Sequence, residues 1–330
     1  MRRNICLYYE RMRKRLLGRT GIEVSEIGYG AWGIGGKMWQ GATDDESVAT
    51  LRRAFELGLN FIDTALAYGE GHSEELVGQI APPSVHVATK VPPKNSLWPA
   101  RPGIGIKDVF PYEYIVSCTE QSLRNLKRDF VDLQQLHVWN PEWIGDDGWR
   151  RAFEDLKKSG KARFVGVSIN DHQPDSALEL IRTGLIDTVQ VIYNIFDQSP
   201  EARLLPLARE LNIGVLARVP LDEGALTGTI DESTHFEKDD FRARYFRGDR
   251  KKDVVQHVSA LQRDLKGVDG SLPQIALRYC LSNPAVSTVI PGMRRVRNVE
   301  ANIAASDAGP LPPDVQAILK KHAWDKNYYS

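Results

Sequence analysis

Leu59-Asn60-Phe61-Ile62-Asp63-Thr64-Ala65 is an apolar run that ends in a carboxylate. Short runs of this kind, rich in branched and aromatic residues, suit strands buried on both faces. Similar runs recur at 26–31, 86–91, 130–138, 163–170, 188–194, 214–220 and 286–292. Amphipathic helical patterns lie between them. Residues 47–57 place Val48, Leu51, Ala54 and Phe55 on one face, and 114–126, 149–158, 175–182, 201–211 and 273–281 behave alike. Ser159-Gly160 and Asn212-Ile213-Gly214 mark turns from helix to strand. Eight strands alternating with helices over 330 residues predict an α/β fold, a (β/α)8 TIM barrel rather than an open doubly wound sheet. Residues 16–25, around Thr20-Gly21, read as an N-terminal hairpin closing the bottom of the barrel. The segments 92–111 and 221–251 exceed ordinary connectors and are expected as long loops at the barrel mouth. Residues 311–330 read as a C-terminal helix with a tail that could dock near that mouth. The basic stretch 1–14 reads as a disordered extension, with Met12 a natural start, which leaves 15–330 as one barrel domain.

The composition is that of an ordinary globular protein, with 42% hydrophobic and 26% charged residues. Formal net charge is +0, so nothing favours nucleic acid or a membrane surface as partner. No apolar run is long enough to span a bilayer. Cys6, Cys118 and Cys280 are odd in number and far apart, which argues against a disulfide framework or a Cys-ligated metal. A reducing cytoplasm is the natural compartment.

Polar residues that end barrel strands read as catalytic. Asp63 ends one run, Lys90 ends Val87-Ala88-Thr89-Lys90, and His137 ends Asp132-Leu133-Gln134-Gln135-Leu136-His137. Tyr68 follows Asp63 in a short loop. The set suits reduction of a carbonyl, whose oxygen must gain a proton as hydride arrives. A phenol is a sluggish acid at neutral pH. A nearby Lys90 ammonium is expected to lower the Tyr68 pKa, Asp63 to hold Lys90, and His137 to orient the carbonyl. Singly, each residue has an ordinary explanation as an ion pair or packing residue; the joint arrangement carries the reading.

Several stretches together resemble the aldo-keto reductase family. They are Phe61-Ile62-Asp63-Thr64-Ala65 with Tyr68-Gly69 and Glu74-Glu75, Thr89-Lys90, Val131-Asp132-Leu133 to His137, Gly166-Val167-Ser168, Gln190 with Tyr193-Asn194, and Ile290-Pro291-Gly292. The similarity runs in order from about Leu17 to the C-terminus. It implies that Tyr68 is the general acid, that Asp63 and Lys90 tune it, and that His137 orients the substrate. It also implies an NADP(H) cofactor lying extended across the barrel mouth. Gly33-Ile34-Gly35-Gly36 is a poor match to a Rossmann fingerprint.

By the same resemblance, Ser168, Asn170 and Gln190 would hold the nicotinamide carboxamide, although Ile169 separates Ser168 from Asn170. Arg218 stands where the family commonly has an aromatic. A planar guanidinium could stack on the nicotinamide, and its charge should favour the reduced form. Leu221, Gly224 and Leu226 fall in the segment that would wrap the pyrophosphate, with Asp222 and Glu223 facing away or fastening the loop. Gly292, Arg294, Asn298 and Asn302 match the adenosine end, with Arg294 the leading contact for a 2′-phosphate. Trp32, Trp39, Trp98 and Trp139 are candidates for the pocket wall, with Trp32 and Trp139 preferred. No metal is expected. The expected partner is a small-molecule carbonyl, reduced reversibly to an alcohol.

Two rival readings remain. One is a cofactor-binding regulatory subunit, like the channel β-subunits that share this family's fold; the presence of all four catalytic residue types weighs against it. The other is a metal-dependent barrel hydrolase or lyase, which the lack of a suitable ligand cluster at strand ends disfavours.

Overall fold

A computed structural model describes residues 12–329, and among these an eight-stranded parallel sheet forms the centre. Its strands in chain order are β3 (Tyr29–Gly30), β4 (Phe61–Asp63), β5 (His86–Val91), β6 (Val131–Leu136), β7 (Ala162–Ser168), β8 (Thr188–Ile192), β9 (Gly214–Arg218) and β10 (Thr288–Val289). Each pairs with its neighbour in sequence. The first and last meet to close the barrel. Gly28 N donates to Val289 O at 2.8 Å, Val289 N to Glu26 O at 2.9 Å, and Gly30 N to Pro291 O at 3.0 Å. Glycine is required at this seam, because a Cβ on Gly30 would stand 2.5 Å from Ile290 O. Before the barrel, β1 (Lys14–Leu16) and β2 (Glu23–Ser25) form the expected antiparallel hairpin.

The barrel interior is layered. Leu17, Ile22 and Val24 of the hairpin pack with Phe61, Ala88, Leu133, Leu216 and Ile290 into an apolar plug. Side chains along a strand return to the same face every second residue. Two residues beyond Phe61, Ala88, Leu133 and Leu216 come Asp63, Lys90, Gln135 and Arg218. The plug below and the polar layer above are therefore consequences of one alternating pattern. The polar layer faces the strand C-terminal end, where barrels carry their sites.

The helices form the outer layer. Asp44–Glu56 begins at a capping box in which Glu46 N donates to Thr43 Oγ1 and Thr43 N to Glu46, each at 3.3 Å. It starts three residues before the expected 47, because its first turn is acidic and adds nothing to the apolar stripe. Two helices escape the apolar pattern. His72–Ile80 buries Ser73 and Glu74, which bond Thr64 and Thr89 respectively. Arg250–Asp264, which begins inside the expected loop, buries only Val254, Val258 and Leu261 among charged neighbours. The remaining mouth segment, 221–249, is irregular apart from short turns of helix such as Phe241–Tyr245. At the N-terminus, Met12 is buried and Lys14 opens β1, so the ordered chain starts ahead of residue 15. Residues 1–11, expected as part of a disordered extension, lie outside the described residues.

Trp139 does not line a pocket. It is fully buried behind the barrel, edge-on to Trp143 at 5.9 Å and to Trp149 at 5.4 Å. It lies two residues past His137, on a chain that has left the strand and turned outward.

Candidate active site

Asp63, Tyr68 and His137 line a cavity of about 1050 Å³ that opens at the barrel mouth, and Lys90 is buried beside them. Its side chain is fully buried, and its Nζ donates to Asp63 Oδ2 at 2.6 Å, Thr64 O at 2.8 Å and Tyr68 Oη at 3.3 Å. The other Asp63 oxygen accepts from Gln190 Nε2 at 2.7 Å and Gln135 Nε2 at 3.4 Å. β4, β5, β6 and β8 thus meet on one carboxylate. Tyr68 is placed by a turn pressed against the loop after β3. A Cβ on Gly35 would meet Tyr68 C at 2.8 Å, and one on Gly69 would clash with Gly35 O. Gly35 serves this close approach, while Gly33 leaves room for the Arg294 side chain. The Tyr68 ring lies edge-on to His137 at 5.6 Å, and Trp98 stands edge-on to His137 on another side at 4.5 Å. Tyr68, His137, Trp32 and Trp98 all line the cavity, with Trp98 46% exposed at its mouth.

The electrostatics depart from the expectation at one point. Burial pushes the Tyr68 phenol above its ordinary value, and the opposing pull of Lys90 does not overcome it. The phenol stays protonated. Burial also opposes the charge on Lys90, but Asp63 and Tyr68 outweigh it, so the ammonium is held more firmly than usual. Burial, helped by Lys90 and Arg218, holds His137 well below its usual range and therefore neutral at pH 7. Its Nδ1 is buried without a partner. An orphaned N–H is rarer in folded proteins than a bare acceptor, which favours the tautomer protonated on Nε2.

The other expected residues divide. Ser168, Gln190, Leu221, Gly224, Gly292, Asn298 and Asn302 line the same cavity, and the buried Asn302 Nδ2 has no partner. Asn170 also lines it, but its amide clamps the 92–111 loop: it accepts from Ala100 N at 3.2 Å and donates to Ala100 O at 3.1 Å. Leu226 is fully buried in the core and contributes no surface to the cavity. Arg294 lines the cavity too, but part of its guanidinium is engaged. Its Nη1 donates to Gln40 O at 2.6 Å and its guanidinium lies over Trp39, so it fastens the 31–41 loop. Arg295 and Arg297 are the exposed cations that line the cavity at the start of the helix Val296–Asp307.

Arg218 reaches the cavity, but its charge is countered: Nη2 donates to Asp171 Oδ1 at 2.7 Å and to Ile169 O at 3.0 Å. Asp171 was invisible as a site residue, because only folding brings it to Arg218. Tyr329, also missed, comes from the far C-terminus and donates to Glu223 Oε1 at 2.5 Å. Glu223 lines the cavity, and burial pushes its carboxyl up to about 7. The cavity has room for an extended dinucleotide, exceeding the roughly 300–1,000 Å³ of ordinary ligand sites.

A family model described as Aldo/keto reductase family matches residues 26–323. An aldo-keto reductase of Bacillus subtilis (strain 168) is 33% identical over 295 residues, covering 86% of this chain and 85% of the relative. An Escherichia coli (strain K12) protein named NADH-specific methylglyoxal reductase is 29% identical, covering 89% of this chain and 93% of its own length. Among solved structures, the holo form of an aldo-keto reductase from Bacillus halodurans superposes with a TM-score of 0.75 at 28% identity, covering 95% of this chain and 97% of that one.

A carboxyl raised on folding stabilises the fold at low pH and loses that contribution as pH climbs through its folded value. Glu223 therefore weakens the protein between about pH 4.5 and 7. Glu223→Gln keeps an acceptor for Tyr329 without the charge. Its stability relative to the unsubstituted protein should improve by about 2–3 kcal/mol from pH 5 to pH 8 in urea unfolding. A difference independent of pH would show that the carboxylate is already charged in the fold.

Proposed function

The chain belongs to the aldo/keto reductase family of oxidoreductases, and we propose that it reversibly reduces an aldehyde or ketone to the alcohol with NADPH, using Tyr68 as the proton donor. The observation that carries this reading is the hydrogen-bonded line Asp63–Lys90–Tyr68, ending at a cavity beside a neutral His137. When bound, a reduced nicotinamide would supply the hydride. The substrate oxygen would lie between Tyr68 Oη and His137. As negative charge grows on that oxygen, Tyr68 gives up its proton. The phenolate left behind lies against the Lys90 ammonium, which Asp63 keeps charged. The raised phenol pKa holds the proton until that charge appears. In the oxidative direction Tyr68 must first lose its proton, so alcohol oxidation is favoured by alkaline pH. The neutral imidazole donates one hydrogen bond to the oxygen and adds no competing charge.

Residues for the coenzyme follow the cavity. Ser168 and Gln190 suit the carboxamide; one Gln190 amide hydrogen is already held by Asp63. Arg218 would present its guanidinium plane to the nicotinamide. Gly224 and Leu221 would border the pyrophosphate, Asn298 and Asn302 the adenosine. Arg295 and Arg297 replace Arg294 as the leading contacts for a 2′-phosphate, because the Arg294 guanidinium is engaged by Gln40 and Trp39. A relative bearing an NADH-specific name makes this a property to read from these side chains rather than from the family.

The direct test follows absorbance loss of NADPH and of NADH with a panel of aldehydes, for the native protein and Tyr68→Phe. NADPH should be preferred in kcat/KM, and Tyr68→Phe should lower the rate by about 10²–10⁴. Tight coenzyme binding without turnover would instead support the regulatory-subunit reading, and a coenzyme ratio near one would remove the phosphate argument. Arg218 gives a second test. Arg218→Tyr should shift affinity from reduced toward oxidised coenzyme, with the shift limited because Asp171 already counters the charge. An unchanged ratio in fluorescence titrations would contradict it.

A further inference from the structure

The C-terminal tail grips the loop that borders this cavity. After the helix Pro313–Lys320, the chain returns to the cavity, which Tyr329 lines. Trp324 anchors it, donating its backbone N–H to Phe196 O at 2.9 Å and stacking on His257 at 3.8 Å and 10°. Beyond that anchor, two side chains reach the 222–227 segment. Lys326 Nζ donates to Asp222 Oδ1 at 2.7 Å and to Tyr245 Oη at 3.0 Å. This ion pair is deeply buried, with side-chain exposures of 5% and 4%. Lys326 also lies 4.8–5.3 Å from the rings of Tyr245, Trp324 and Tyr328, an aromatic cage that excludes water. The second contact is Tyr329 to Glu223.

The gripped segment is strained. Asp222, Glu223 and Gly224 follow one another at φ 49°, 55° and 109°. Two consecutive non-glycine residues in the left-handed region persist only where the surroundings over-determine them. The surroundings here are the tail and Tyr245. Glu223 and Gly224 line the cavity while Asp222 points away from it toward Lys326. Pulling on Asp222 therefore fixes the backbone that faces the cavity.

We propose that Lys326 and Tyr329 are positioning residues of a C-terminal latch, which holds the 222–227 loop closed over bound dinucleotide and sets the rate at which the coenzyme leaves. The role of the loop rests on the functional reading above; the grip of the tail on the loop does not. Both partners of Lys326 lie outside the cavity, so the latch acts on the loop rather than on the reacting atoms. Opening it requires a buried ion pair to separate, an event suited to gating release.

Stopped-flow fluorescence of NADPH release tests the latch on the full chain, using Lys326→Met, Lys326→Arg and Tyr329→Phe. Lys326→Met should raise the dissociation rate roughly five- to tenfold, since such changes fall mainly on dissociation. Tyr329→Phe should raise it less, and Lys326→Arg should restore most of the native rate. The single-turnover reduction rate of Lys326→Met at saturating NADPH should stay within about twofold of native, because chemistry at Tyr68 is untouched. Release rates unchanged in both Lys326→Met and Tyr329→Phe would overturn the proposal, as would equal losses in release control and single-turnover rate. Hydrogen exchange of residues 221–228 provides a reading free of coenzyme. It should quicken in Lys326→Met or, if that variant fails to fold, in Tyr329→Phe. Unchanged exchange would refute the latch, whereas quickened exchange in a protein that binds no dinucleotide would fault only the functional reading.

Discussion

Lys90 Nζ sits 2.6 Å from Asp63 Oδ2 with neither side chain meaningfully exposed. Two opposite charges so buried are held at a cost in hydration that their attraction alone need not recover. The fold answers with hydrogen bonds. Thr64 O and Tyr68 Oη take the other ammonium protons, and Gln135 and Gln190 satisfy the second carboxylate oxygen. Four strands are tied together in the process. Removing either partner would leave a lone buried charge, at a cost of about 3–5 kcal/mol. The same pair explains the polarity of the site. It places a fixed positive charge beside a phenol that burial keeps protonated, and beside an imidazole that burial and this charge keep neutral. A protonated donor and a neutral orienting group are what carbonyl reduction needs at physiological pH.

The barrel was legible because its information is local. Each strand is a short apolar run, and the alternation within it separates the plug residues Phe61, Ala88 and Leu133 from Asp63, Lys90 and Gln135 two positions later. The hairpin was visible in Thr20-Gly21. Strand ends then pointed to Asp63, Lys90 and His137, and the structure brings these together with Tyr68. Helices that bury polar residues, such as His72–Ile80 with Ser73 and Glu74, left no periodic trace.

The misreadings come from packing, burial and partners that no local pattern fixes. Trp139 looked like a pocket wall from its distance to His137, yet it packs on Trp143 and Trp149. Arg294 stood out at a helix start, and folding shows that part of its guanidinium is held by Gln40 and Trp39 at the edge of the cavity. The Tyr68 pKa was judged from Lys90 alone, while burial, which no local pattern reveals, proved larger. Asp171, Lys326 and Tyr329 carry no motif. Asp171 reaches the site because the loop after β7 meets Arg218, and Tyr329 because the chain returns after its last helix to Glu223, with Lys326 holding Asp222 behind the loop.

The central claim is that a buried ammonium, fixed by Asp63, powers proton transfer from Tyr68. It is tested most directly by single-turnover reduction in Lys90→Met with saturating NADPH. Methionine keeps the length of the side chain and removes the charge. The account predicts that coenzyme still binds while the rate of reduction falls by about 10² or more. A Lys90→Met protein that folds, binds NADPH and reduces its substrate at the native rate would contradict it.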